Sequence, residues 1–161
     1  MTNEPIKIDY LANHPEFIET LAPFIAEHWR PILKHETLES RVAKLRTHLN
    51  YNKLPIAWVA YSGSNVFGTA SLREHDLDTH QNLTPWLGGL FVLPKFRNRN
   101  IGSALCSAVE QHASNTLNIR KLFLFTLDKQ NMYKRLGWAF LESCMWCDHS
   151  GIIMCKELQG A

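Results

Sequence analysis

Three basic residues stand between an apolar run and an amphipathic helix in the middle of the sequence. Lys95, Arg97 and Arg99 follow the apolar run Trp86–Val92, and Gly102 falls in the first turn of the helix. A helix start offers unpaired backbone N–H groups and the positive end of the macrodipole, and glycine lets an anion approach without meeting a Cβ. The pattern predicts a phosphate or pyrophosphate site; the alternative is a solvated basic turn before an ordinary helix.

The turn contains neither a Walker A sequence nor GxGxxG. From Val92 to Gly102 it reads Val-x-Pro-x-x-Arg-x-x-x-Ile-Gly, which resembles the acetyl-CoA motif of the GNAT N-acetyltransferase superfamily. That motif is Arg/Gln-x-x-Gly-x-Gly/Ala, and Asn100 stands here where the family usually has glycine. Asparagine is the next most tolerant residue for a left-handed backbone and is also a good N-cap, so the turn can keep its shape.

This resemblance implies acetyl-CoA as co-substrate. It also implies that the strand carrying Leu90 parts from the next strand and leaves a gap for the pantetheine arm, while backbone amides of the turn hold the pyrophosphate. The cofactor-binding residues expected on this basis are Leu90, Phe91, Val92, Arg97, Asn98, Arg99, Asn100, Ile101, Gly102, Ser103 and Asp128.

A second match lies about 30 residues further on. Tyr133-Lys134-Arg135-Leu136-Gly137-Trp138 resembles the Tyr-x-x-x-Gly-Phe/Trp segment of the family, in which the tyrosine of many members protonates the leaving thiolate of CoA. Tyr133 is therefore the expected general acid. The connection from the preceding strand is shorter than the family's common version, and Asp128 lies in it.

The attacking amine must lose a proton, since a lysine-type amine is mostly protonated near neutral pH. Some family members carry a glutamate on strand five, but the matching stretch Leu122–Thr126 holds no carboxylate. Glu74 and Asp76, just past the third predicted strand, are the candidate bases, and His75 is their competitor because its free pKa suits the task. The alternative is that all three belong to a solvated loop.

The predicted elements form one mixed α/β chain in the order β-α-α-β-β-β-α-β-α-β-β. The resemblance implies that residues 1–161 are a single GNAT domain. The resemblance implies a single, mostly antiparallel sheet flanked by helices. Pro23 should kink or split the first helix, and Thr37 is a plausible N-cap for the second. The expected strands are Ile6–Leu11, Ile56–Tyr61, Val66–Leu72, Trp86–Val92, Lys121–Leu127, Trp138–Asp148 and Ile152–Leu158; the expected helices begin near Asn13 and span Thr37–Leu49, Ile101–Ala113 and Met132–Leu136.

Composition excludes several classes of protein. The 161 residues carry a formal charge of only +2, too little to predict nucleic-acid binding. No window approaches the ~20 apolar residues of a membrane span, and Met1–Tyr10 does not look like a secretory signal. We expect a cytoplasmic monomer or homodimer with no membrane or nucleic-acid partner.

Four cysteines leave one further possibility. Cys144 and Cys147 form a CxxC with His149 close behind, which would suit zinc or redox chemistry. No second CxxC exists, and this one falls on a predicted strand, where positions three apart face opposite sides. No metal site is therefore expected.

Taken together, the sequence predicts an acetyl-CoA-dependent N-acetyltransferase. The acceptor is expected to be the primary amine of a small molecule or of a protein N-terminus, attacking directly. Candidate walls of its pocket are Trp29, Tyr51, Trp86 and Trp146. The alternative of a different class is a module that binds acyl-CoA without catalysis.

Overall fold

A computed structural model describes residues 4–159. The strands are β1 (Lys7–Tyr10), β2 (Ile56–Ser62), β3 (Asn65–Arg73), β4 (Trp86–Val92), β5 (Lys121–Thr126), β6 (Ala139–Trp146) and β7 (His149–Glu157). The helices are α1 (Ile18–Trp29), α2 (Leu38–Arg46), α3 (Ile101–Asn115) and α4 (Gln130–Arg135). Short 3₁₀ turns lie at Leu11–Asn13, Pro15–Phe17, Asp78–His80 and Pro94–Phe96. The predicted order of elements is confirmed.

The seven strands form one sheet in the order β1-β2-β3-β4-β5-β7-β6. Only the central neighbours β4 and β5 run parallel; the other neighbouring pairs are antiparallel. This confirms the mixed, mostly antiparallel sheet. The parallel pair stands where the chain leaves β4 through α3 and returns as β5, a connection long enough for a parallel crossover.

Alternate residues of β2 pack against helices on opposite faces of the sheet. Ile56 and Trp58 belong to the core beneath α3 and α4, whereas Ala57 and Val59 belong to the core beneath α1 and α2. Successive side chains of a strand point to opposite faces, so a strand covered on both sides must be apolar throughout. The helices therefore form two layers with the sheet between them.

Thr37 caps α2 as predicted. Its hydroxyl accepts a hydrogen bond from the Ser40 N–H at 3.0 Å, and the Ser40 hydroxyl accepts one from the Thr37 N–H at 2.9 Å. The reciprocal pair satisfies two N–H groups that a helix start leaves free. The helix ends at Arg46, three residues before the predicted end at Leu49.

The prediction that Pro23 splits the first helix was wrong, because α1 runs unbroken from Ile18 to Trp29. Proline in a helix interior costs about 3 kcal/mol through a lost hydrogen bond and a ring clash. The same helix buries Leu21 and Ile25 almost completely in the core. Burial of such side chains contributes about 1.5–3 kcal/mol each, which outweighs the proline.

The placement of the whole CxxC on a strand was also wrong. Strand β6 ends at Trp146, and Cys147 and Asp148 form the turn to β7 with φ values of 47° and 65°. The two cysteines therefore lie on different kinds of backbone. All four cysteines are free thiols. In the part of the chain that the structure describes, no helix is both long and apolar enough to cross a bilayer.

Candidate functional site

The sheet opens between its two parallel strands. Trp86 of β4 stands opposite Phe123 of β5, and the Phe123 N–H donates to the Pro85 carbonyl at 3.1 Å. This is the only registered pair between the two strands among the described residues. On its other side β5 stays paired with β7 from Lys121 to Thr126. The edges of β4 and β5 beyond Trp86 and Phe123 are consequently free of each other.

A cleft of about 1430 Å³ occupies this opening and reaches both faces of the sheet. Trp29 and Lys44 line it from the side of α1 and α2, and Gly102 and Tyr133 line it from the side of α3 and α4. Among the residues expected to bind the cofactor, the cleft is lined by Leu90, Phe91, Val92, Arg97, Asn98, Asn100, Ile101, Gly102, Ser103 and Asp128. Two ligands could therefore meet within the sheet from opposite faces.

The basic turn adopts a backbone that exposes N–H groups. Asn98 and Asn100 are both left-handed, with φ of 65° and 62°. The side chain of Asn100 makes no capping hydrogen bond, so its value lies in its backbone conformation and not in N-capping, one of the two roles considered for it. The first helical N–H with an acceptor is that of Ala104, bonded to the Asn100 carbonyl at 3.1 Å. The preceding N–H groups of α3 are free to hold an anion.

Gly102 leaves space that the protein itself does not fill. A Cβ built at this position would lie 3.8 Å from the side chains of Leu90 and Val92, an ordinary contact distance. Packing within the protein therefore does not require glycine here. The missing side chain instead gives a ligand room against the start of the helix.

The two arginines of the turn differ in position relative to the cleft. Arg97 Nε donates to the Val92 carbonyl at 3.0 Å, and its guanidinium lies 5.5 Å from the centre of the Phe91 ring. These contacts hold Arg97 at the end of β4, on the cleft. Arg99 lies over Phe96 at 5.7 Å and is not among the residues lining the cleft. Arg99 is therefore poorly placed for the contact expected of it.

Tyr133 of α4 is buried to 6% exposure and borders the cleft. Desolvation raises the pKa of its hydroxyl, and the nearby groups of Cys106, Asp76 and Asp128 raise it further. The hydroxyl therefore keeps its proton throughout the neutral range. A protonated group at the wall of a cleft is suited to donate a proton to a leaving group.

The candidate bases in the loop after β3 lie at the cleft but differ in hydrogen bonding and in exposure to solvent. Asp76 accepts a hydrogen bond from Arg73 at 2.9 Å, and its side chain is 20% exposed. Glu74 is 73% exposed, with His75 Nε2 3.9 Å from its carboxylate. All three loop residues line the cleft. Asp76 is fixed in position but ion-paired, whereas Glu74 is free but largely in water.

A β-bulge in β4 lies under this loop. Phe91 pairs with Thr69 and Gly88 pairs with Ser71, so β4 holds one residue more than β3 between these pairs. Gly89 has φ of 61°, and a Cβ there would come within 2.6 Å of Arg73 Nη2. Glycine at position 89 therefore suits both the left-handed backbone and the close approach of Arg73. A bulge frees backbone groups from the ladder, and here they border the cleft. The Gly-Gly pair inside an apolar strand is the sequence signal that could have revealed it.

Two of the four expected aromatic walls are at the cleft. The rings of Trp29 and Trp146 meet edge to face with centroids 5.5 Å apart. Trp86 is fully buried in the core. Tyr51 lies elsewhere, packed against Tyr10 at 5.2 Å. The predictions for Trp86 and Tyr51 were wrong because an aromatic residue at an element end more often packs in or on the core.

The sequence profile of the acetyltransferase (GNAT) family matches residues 21–138. That range holds the turn before α3, the bulge of β4 and Tyr133. The chain belongs to this family. A sequence comparison with functionally curated proteins finds no match.

Solved structures share the GNAT fold, two of them over nearly the whole chain and one over 71% of it. A GNAT-family acetyltransferase from Staphylococcus aureus Mu50 is 23% identical, with a TM-score of 0.71 over 96% of this chain and 100% of its own. An aminoglycoside 6'-N-acetyltransferase from Enterococcus faecium is 17% identical, with a TM-score of 0.73 over 96% and 98%. A putative streptothricin acetyltransferase from Bacillus anthracis, solved with acetyl coenzyme A, is 16% identical, with a TM-score of 0.59 over 71% and 68%.

The CxxC was the other candidate for chemistry in the sequence. Among residues 4–159, no group of three or more His, Cys, Asp or Glu side chains could hold a metal ion. Cys144 is partly buried, and desolvation raises the pKa of its thiol, which lowers its reactivity.

Proposed function

We propose that this GNAT protein transfers an acetyl group from acetyl-CoA to a primary amine of a small molecule or a protein N-terminus. The observation that carries the proposal is the opening between β4 and β5, which ends at the free N–H groups of α3. An elongated ligand with phosphates at one end fits such a cleft. The structural neighbour solved with acetyl coenzyme A supports the same ligand.

In this proposal the pyrophosphate lies against Gly102 and the turn before it. The left-handed Asn98 and Asn100 hold the N–H groups at the start of α3 toward the ligand, and Arg97 adds positive charge beside them. The pantetheine arm lies along the free edge of β4, where its amides can bond to the backbone as a strand would. Its thioester then lies near the bulge at Gly88 and Gly89.

The amine attacks the thioester carbonyl from the side of α1 and α2. The bond from nitrogen to carbon forms, and the bond from carbon to sulfur breaks. Tyr133, on the opposite face, donates its proton to the departing sulfur. The nitrogen loses a proton to a base or to water. Asp76 and Glu74 are the proposed bases, either directly or through a water molecule, and His75 is their competitor.

The test is a panel of primary amines incubated with the purified protein and acetyl-CoA. Free CoA is measured with a thiol reagent, and acetylated products are identified by mass spectrometry. The proposal expects CoA release that depends on the amine, with one acetyl group gained by each product molecule. Binding of acetyl-CoA with no acetylated product across the panel would instead favour the non-catalytic acyl-CoA-binding module.

A further inference from the structure

A cluster of cations on the α1 and α2 side of the cleft is not used in the proposed acetyl transfer. It consists of Lys44 of α2 and Arg73 at the end of β3, and both line the cleft. Thr69, Ser71 and Arg73 alternate with the core residues Ala70 and Leu72, which pack beneath α3. The cluster therefore lies on the face opposite Tyr133, where the acceptor is proposed to enter.

Arg73 is held in one orientation by three neighbours. Its Nε donates to His48 Nε2 at 3.0 Å, and its Nη1 donates to Asp76 at 2.9 Å. Its Nη2 lies against the bulge, 2.6 Å from where a Cβ of Gly89 would be. The side chain is only 12% exposed. A guanidinium fixed in this way is prepared to bind a planar oxyanion, because little side-chain entropy remains to be lost.

Lys44 differs from its neighbours in having no counter-ion. Arg41 is paired with Glu36 at 2.8 Å, and Arg73 is paired with Asp76. Within residues 4–159, the Lys44 ammonium makes no ion pair or hydrogen bond. Lys44 as a residue is exposed to solvent, yet desolvation of its ammonium, then Arg73 and then Arg41, lower the pKa of that ammonium to about 8, against the opposing effect of Asp76 and Glu36. An anion beside Lys44 would relieve this repulsion.

We infer that Lys44 and Arg73 form an anion subsite for the acceptor, so that the preferred acceptor is an amine that also carries a carboxylate or a phosphate. The amine end would reach the thioester near Gly88 and Gly89. The anionic end would lie between the Lys44 ammonium and the guanidinium of Arg73. This inference rests on the proposed acetyl transfer and adds the class of acceptor to it.

The experiment compares acceptors that differ only in the anionic group. ω-Aminocarboxylates from β-alanine to ε-aminocaproate are each measured against their own amide, and O-phosphoethanolamine against ethanolamine. Comparison of the carboxylate series with O-phosphoethanolamine shows whether the subsite prefers a carboxylate or a phosphate. A charge-assisted hydrogen bond discriminates between an anion and a neutral group, so kcat/KM for the best anionic acceptor should exceed that of its neutral partner by about tenfold.

Substitutions in α2 test whether Lys44 causes the preference for anionic acceptors. Lys44→Met should reduce the ratio of kcat/KM for the acid to kcat/KM for its amide by about tenfold, while Lys44→Arg should retain that ratio. Arg46→Met is the matched control, since Arg46 is an exposed cation of the same helix that does not line the cleft. Equal rates for acids and amides, or a preference that survives Lys44→Met, would overturn the inference.

A binding readout separates this inference from the proposed reaction. In the presence of CoA, the anionic amine should raise the Tm of the wild-type protein and of Arg46→Met, but not of Lys44→Met. If no amine is acetylated but this pattern holds, the reaction is wrong and the anion subsite stands. If amines are acetylated but neutral and anionic amines raise the Tm equally, the reaction stands and the subsite is wrong.

Discussion

The Nε of Arg73 donates a hydrogen bond of 3.0 Å to Nε2 of His48, a side chain that is only 2% exposed. The bond requires a lone pair on Nε2, so His48 is neutral and carries its proton on Nδ1, which lies 2.8 Å from the Lys44 carbonyl. Protonation of His48 would set two N–H groups against each other. Desolvation and then the charge of Arg73 lower the pKa of His48 to about 4.

The stability of the fold should therefore depend on pH through His48. Its pKa is about 4 in the folded protein and 6.5 when unperturbed, so between these values the unfolded chain binds more protons. Stability from this residue is complete above pH 6.5 and falls as pH drops toward 4, by up to ~3 kcal/mol. The free energy of unfolding, measured with urea at several pH values in this range, should change less with pH for His48→Gln than for the wild type. Equal pH dependence in the two proteins would contradict the lowered pKa of His48. His28 and His112, whose pKa values are also lowered, are present in both proteins and so do not affect the comparison.

Binding of acetyl-CoA should depend on the space at Gly102. Gly102→Glu places bulk and negative charge where the phosphates are proposed to lie, and it should abolish the rise in Tm that acetyl-CoA gives. Ala104→Glu is the matched control, because Ala104 is an exposed residue two positions further along α3 and outside the cleft. That control should keep the rise in Tm. A folded Gly102→Glu protein that still responds to acetyl-CoA would place the site elsewhere.

The hydroxyl of Tyr133 should matter for turnover and not for cofactor binding. Tyr133→Phe keeps the ring in its buried position and removes only the proton, so turnover should fall by roughly 10²–10⁴. The affinity for acetyl-CoA, followed by thermal shift, should change little. Tyr61→Phe, on β2 and away from the cleft, controls for the loss of a hydroxyl. Wild-type turnover in Tyr133→Phe would leave that hydroxyl without a chemical role.

Three substitutions identify the base among the residues after β3. Glu74→Gln, His75→Gln and Asp76→Asn each remove an acceptor of protons at nearly constant shape. The variant of the true base should lose the acidic limb of the kcat/KM profile and recover partly at high pH, where free amine is abundant. Asp76→Asn should in addition weaken acceptor binding, because Asp76 holds Arg73. If all three variants keep the wild-type profile, the amine arrives neutral or loses its proton to bulk water.

Sequence patterns predicted the fold better than the acceptor side of the cleft. The limits of β4 and the start of α3 follow from local features, namely an apolar run, a proline and a basic turn with an asparagine in the place of glycine. Asn100 illustrates how this works, since its left-handed φ of 62° is the conformation for which the family uses glycine. The backbone of the turn could therefore be inferred from a departure in the motif.

The acceptor side could not be predicted because it joins distant parts of the chain. Lys44 belongs to α2 and His48 lies two residues beyond its end, whereas Arg73 stands 25 residues beyond His48 at the end of β3. Each of these residues alone is an ordinary polar residue of a helix or strand end. Only the tertiary contact between the chain around the end of α2 and the end of β3 shows that they form one cluster. The same limitation explains Pro23, whose cost is met by burial of neighbouring residues that a local pattern does not measure.

The interruption between β4 and β5 also divides the molecule mechanically. Strands β1 to β4 form one hydrogen-bonded block, β5 to β7 form another, and the pair at Trp86 and Phe123 joins them. Elsewhere between β4 and β5 the two blocks are held together by side-chain packing. Each block can therefore open locally without breaking the backbone hydrogen bonds of the other. A ligand bonded to the strand edges on both sides would make the blocks open together. Hydrogen exchange in β5 to β7 would then slow on ligand binding even at amides that the ligand never touches.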